Sequence, residues 1–175
     1  MKIIVTHIKQ HILKTLLITG LSFISVYTFA QGDSIPPDPG AITVYLVQNM
    51  SFGAFSNGAS GGTVIISTNG ARSVTGNVIP LNMGVQYFQA IFDVDSPIGS
   101  IISILNGSDA VLTGSNGGSM TMHIGGSDPP SPFIIIVNQP VRTPVNIGGT
   151  LTVGNTAANP PGTYNGTFYI TFNQE

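Results

Sequence analysis

From residue 41 to the end of the chain, apolar and polar positions alternate with a period of two, the pattern of a half-buried strand. Ile42, Val44 and Leu46 alternate with Thr43, Tyr45 and Val47 at the start of this region. At its end Phe168, Ile170 and Phe172 alternate with Thr167, Tyr169 and Thr171. Between them the same reading predicts strands over Thr63–Thr68, Arg72–Val78, Val85–Val94, Ile101–Leu105, Ala110–Thr113 and Ser119–Ile124. Asn69-Gly70 predicts a type I′ hairpin turn between the first two of these, because both central residues of that turn need positive φ. Ser56–Gly62 reads as a Gly/Ser loop and Ser127–Pro132 as a Pro-rich one. Phe133–Val137, FIIIV, is apolar at every position and predicts a strand buried on both faces or central in a sheet.

The tail, Gly148–Phe172, reads as two strand-forming runs joined by a Pro/Gly-rich loop, a hairpin that closes a two-layer fold. Its Phe-Ile-Phe set should face the core, each side chain contributing about 1.5–3 kcal/mol when buried. Gly166 is expected at a bulge or a close backbone approach, since too few residues separate it from the preceding Pro-Pro-Gly for a hairpin strand. No segment carries a sustained 3.6-residue apolar repeat with caps, so little helix is expected. The prediction is an all-β, antiparallel sandwich of about nine strands with immunoglobulin-like architecture.

The first thirty residues follow a different pattern. Lys2, Lys9 and Lys14 precede an apolar run, Leu16–Phe29, that is too short for a membrane span. Thr28-Phe29-Ala30 then supplies the small residues of a cleavage site. This predicts a secretory signal peptide over 1–30, a mature terminus at Gln31 and a periplasmic, outer-surface or extracellular protein. Residues 31–40, QGDSIPPDPG, read as a Pro-rich lead-in, and 41–175 as one β-sandwich domain. The chain has no cysteine, so the exported domain must stand on its core without disulfides.

Removal of the signal peptide changes the charge balance. All three lysines go with it, leaving Arg72 and Arg142 against seven acids. A surface with two cations has no patch that tracks phosphates, which argues against nucleic acid and anionic lipid as partners. Sheet proteins commonly guard their edges with lysine, and the mature chain has none. This motivates the expectation that one edge strand is covered by a protein partner or by self-association. Otherwise Pro80, Pro132, Pro140 and Pro144 protect the edges.

The candidate chemistry is sparse. Gly58-Ala59-Ser60-Gly61-Gly62 matches G-x-S-x-G, with Asp109 and His123 following in hydrolase order. That motif needs a strand before it and a helix after it, and here a strand follows. His123 stands opposite Met120, Met122 and Ile124 in the alternation and is expected on the exposed sheet face. Asp93 and Asp95 share a face and suit either a calcium ion or a turn cap, with no glycine-spaced calcium loop around them. Tyr45, Tyr87, Tyr164 and Tyr169 suit a glycan-binding face or ordinary half-buried sheet positions. No catalytic, cofactor-binding or metal-binding residue is assigned on this basis.

Three stretches together resemble a bacterial family catalogued as a domain of unknown function, number 4402. They are Ser51-Phe52-Gly53, the span from Gly62-Thr63-Val64 through Gly70-Ala71-Arg72, and the span from Ile147-Gly148-Gly149-Thr150-Leu151 through Gly162-Thr163-Tyr164 to Gly166-Thr167. The resemblance implies a small exported β-sandwich related to fimbrial and coat-protein subunits, and it implies no catalytic residues. As in pilin subunits of the donor-strand type, a glycine, Gly162, stands fourteenth from the end. Gln174 replaces the penultimate tyrosine of that pattern, and the paired cysteines are missing. The resulting expectation is a non-catalytic structural or adhesion-type subunit. The alternative is an exported carbohydrate- or protein-binding module, with a serine hydrolase as a remote third.

Overall fold

The computed structural model describes residues 40–175, which hold thirteen β-strands and no α-helix. In chain order these are β1 (Thr43–Gln48), β2 (Ser51–Phe52), β3 (Phe55–Ile66), β4 (Arg72–Pro80), β5 (Tyr87–Phe88), β6 (Ala90–Asp95) and β7 (Ile101–Asn106). There follow β8 (Ala110–Gly114), β9 (Ser119–Asp128), β10 (Phe133–Ile134), β11 (Thr143–Val153), β12 (Tyr164–Asn165) and β13 (Ile170–Gln174). Four of these have only two residues, so the nine longer strands agree with the sequence-based expectation. The predicted signal peptide, its cleavage site and the lead-in up to residue 39 lie outside the described residues.

The architecture is an antiparallel sandwich of curled sheets. An eight-stranded sheet runs β1-β6-β11-β9-β8-β12, with β3 also pairing β11 and carrying β4. A three-stranded sheet, β10-β7-β13, covers part of its inner face, and β2 and β5 form a small ribbon. The organising element is β11. Its first half pairs β6, its second half pairs β3 on the same side, and β9 runs along the other side.

Gly148 and Gly149 sit where β11 exchanges one neighbour for the other, and both are buried. A Cβ at Gly148 would stand 2.7 Å from the Ile66 carbonyl oxygen, and one at Gly149 would stand 2.8 Å from the Met50 sulfur. Only glycine leaves room for a branch in the sheet at this point. Val145, Ile147, Leu151 and Val153 then point inward, each no more than 2 % exposed. They join Val64, Ile66, Val94, Met120, Met122 and Ile124 in the core.

The alternation in the tail holds, but the hairpin does not. Phe168, Ile170 and Phe172 are half-buried against the core, while Thr167, Tyr169 and Thr171 are exposed. The two runs, however, belong to different sheets. Leu151 and Val153 are in β11, whereas Ile170 and Phe172 are in β13 and pair β7. The loop between them therefore bridges the layers rather than turning within one. Phe172 meets Phe92 of the large sheet at 5.5 Å between centroids, a tilted aromatic contact across the sandwich. Gly166 does make the expected close approach: a Cβ there would lie 2.6 Å from the Val111 carbonyl oxygen.

Other expectations shift for local reasons. Ser56–Gly62 is part of β3, not a loop, and holds a bulge between Asn57 and Gly62. Gly61 adopts φ +65 there, and Cβ atoms at Gly61 and Gly62 would collide with the Val153 and Thr75 carbonyls. The glycines serve close packing of backbones rather than flexibility. The β3–β4 connection is a hairpin as expected, but not type I′. Gly70 N–H donates to Ser67 O, and only Gly70 takes positive φ, +81. That is a type I turn closed by a glycine bulge, with Asn69 Oδ1 accepting from Ala71 N–H and Ser67 Oγ. Phe133–Val137 is neither central nor buried on both sides. It forms β10 at an edge of the small sheet, with Phe133 and Ile135 buried and Ile134 and Ile136 exposed.

Candidate interaction surfaces

The hydrolase-like constellation comes apart in the fold. His123 Nδ1 and Asp109 Oδ1 do meet, at 2.8 Å, on the exposed outer face of the large sheet. Ser60 does not join them. His123 lies opposite Thr150, and Thr150 opposite Ile65 of β3. Ser60 is five residues further along β3, which places it roughly 16 Å along the strand and roughly 10 Å across two strand spacings from the histidine. His123 itself faces away from Met120 and Met122, as the alternation predicts. Asp95 accepts a hydrogen bond from Gln139 Nε2 at 2.8 Å, and Asp93 lies opposite Tyr45 and Pro144.

The four tyrosines do not form a common face. Tyr45 and Tyr164 stand on strands at opposite edges of the large sheet. Tyr45 carries the Arg142 guanidinium at 3.8 Å from its ring centroid, and Tyr87 carries that of Arg72 at 4.4 Å. Arg72 also donates to the carbonyls of Phe52 and Ala54, tying β4 to the β2–β3 corner. Both arginines of the described residues are thus engaged within the fold. Tyr164 donates to Pro160 O at 2.8 Å, and only Tyr169 projects freely, 75 % exposed.

A groove of about 990 Å³ opens beside the part of the large sheet that the small sheet does not cover. Half-buried Met50, Phe55, Leu112 and Phe168 flank it, and buried Met120, Met122 and Leu151 form its floor. All four methionines of residues 40–175 line this groove, and no charged side chain does. Asn159, 2 % exposed, closes one end. Its Oδ1 accepts from Gly154 N–H at 2.5 Å, and its Nδ2 donates to Ser119 O at 2.7 Å. Sequence alone gave Asn159 no distinction, because an asparagine among Ala, Pro and Gly reads as an ordinary turn residue.

The outer face of the small sheet is the most apolar part of the surface. Ile134 lies directly opposite Ile101, and Leu105 opposite Thr171. Ile101, Leu105, Ile134, Ile136 and Tyr169 all point away from the core, from 39 % exposed at Ile101 to 78 % at Ile136. The inner face is equally apolar, with Ile102, Phe133 and Ile135 buried. A sheet apolar on both faces is built to be covered on both, and the fold covers one.

No curated protein and no solved structure matches the chain. A family model described as a domain of unknown function (DUF4402) matches residues 42–173. The match spans nearly all of the described fold, and the chain belongs to that family.

Proposed function

We propose that this is an exported, non-catalytic structural or adhesion-type subunit that works by docking the outer face of its small sheet. The observation that carries this reading is the FIIIV run. Its composition calls for burial on both sides, yet Ile134 and Ile136 stand exposed. Contiguous exposed apolar surface of this kind marks interaction sites. The targeting segment supports delivery outside the cytoplasm, and N-terminal sequencing of the exported protein should begin at Gln31. In cell-envelope or culture fractions the protein should run in assemblies larger than the monomer, and Ile134→Asp should release it. Native protein that runs as a monomer and is unchanged by Ile134→Asp would refute the reading.

The methionine-lined groove favours a second reading, a binding module for an uncharged ligand. Methionine is common at adaptable apolar binding surfaces, and an uncharged lining offers a buried ionic group no partner. Retention of the monomer on a glycan array, or a thermal shift with neutral apolar compounds that Met50→Glu abolishes, would support it. No response to either probe would dismiss it.

A further inference from the structure

We infer that the partner covering the small sheet is a second copy of the same chain, packed face to face about a twofold axis. This rests on the reading of that face as an assembly surface and names its occupant. Three observations point to a copy rather than a different protein.

The first is charge. Five acids, Asp93, Asp95, Asp109, Asp128 and Glu175, face two arginines among the described residues. Another copy is therefore repelled by most of the surface. The centre of the small sheet's outer face carries no charge at all, only Ile101, Ser103, Leu105, Ile134, Thr171 and Asn173, with Glu175 at its rim. It is a place where like-charged copies approach without desolvating an acid. A cationic partner, by contrast, gains nothing from this face.

The second is shape. The face is an apolar row on β10 and β7 beside a polar row on β13. A twofold axis sets apolar row on apolar row, as a self-complementary interface requires. The edge itself is a poor alternative: the extended part of β10 ends at Ile135, and Pro132 and Pro140 flank it. Two small sheets stacked at about 10 Å extend the sandwich by another layer.

The third is area. A three-stranded face of this length buries on the order of 500 Å² per copy, below the ~800 Å² of a standard stable interface. The association should therefore be weak, micromolar or above, and suited to a repeated surface array rather than a permanent dimer.

The test uses the full exported chain with a benzophenone photo-crosslinking residue in place of Ile134, expressed in its own host. Sedimentation of the purified wild type and of Leu105→Glu accompanies it, with circular dichroism to confirm folding. A crosslinked species of twice the monomer mass, and a concentration-dependent rise in mass that Leu105→Glu weakens at least tenfold, support the inference. A crosslink to a different protein, with the purified chain monomeric throughout, overturns the second copy but leaves the assembly reading standing. No crosslink and no association overturn both.

Discussion

The two sheets of this sandwich share an apolar inside and differ on the outside. On the large sheet Thr75, Thr63, Thr152 and Thr121 stand in one row across four adjacent strands, each directly opposite the next. Thr63 and Thr75 share a hydrogen bond of 2.7 Å. Such cross-strand threonine pairs stabilise a sheet while leaving it wettable. On the small sheet the equivalent positions hold Ile101, Ile134, Leu105 and Tyr169. Fold stability needs only the inner faces, so the outer faces are free to differ. One is finished for water and the other for contact.

Substitutions can test this contrast. The largest effect should come from the inner faces. Leu151→Ala in the large sheet and Ile102→Ala in the small sheet should each cost about 2–5 kcal/mol in urea melts, as fully buried truncations do. An Ile102→Ala cost no greater than that of Ile101→Ala would erase the distinction between the two sides of the small sheet. Phe168→Ala comes next, at about 2–3 kcal/mol, because that ring is only half-buried. Thr167→Ala should stay within about 0.5 kcal/mol, and equal costs would mean the tail faces the other way.

Asn159→Ala should cost about 1–3 kcal/mol by leaving the Gly154 N–H and Ser119 carbonyl without their partner. Asn159→Asp, which keeps the acceptor but loses the donor, should recover part of that loss in the same melts. The outer faces should hardly register in stability. Leu105→Thr should shift it by no more than about 0.5 kcal/mol while abolishing association in sedimentation, and joint replacement of Thr63 and Thr152 by Ile should create association where none was seen. Smallest of all, Asp109→Ala should change stability by about 0.5 kcal/mol or less, since its pair with His123 is solvent-exposed. A larger loss would assign the outer face of the large sheet a role beyond solvation.

Much of the fold was legible from alternation alone. The nine longer strands, the outward His123 and the inward Phe168, Ile170 and Phe172 all follow from a period of two, because each strand has one face toward the core. The misreadings came where a residue answers to something beyond its own strand. Gly61 and Gly62 look like loop residues because glycine is a turn former, yet here they let two backbones meet. Phe133–Val137 reads as buried on both sides because its composition fits a complete assembly, and one fold supplies a single cover. The Ser60, Asp109 and His123 order survives in sequence, but register sets the serine far from the other two.

The sequence by itself determined that this chain builds strands, which side of each faces inward, and that its mature surface is nearly without cations. These follow from side-chain chemistry and the two-residue repeat, both local. Only the tertiary structure decided that β11 is the branch of the large sheet, that the tail spans both layers, and that Ile101, Leu105, Ile134 and Tyr169 converge on one uncovered face. Those depend on which strands pair and in what register. That choice is made by long-range packing around Gly148 and Gly149, where the absence of two side chains lets three strands share one neighbour.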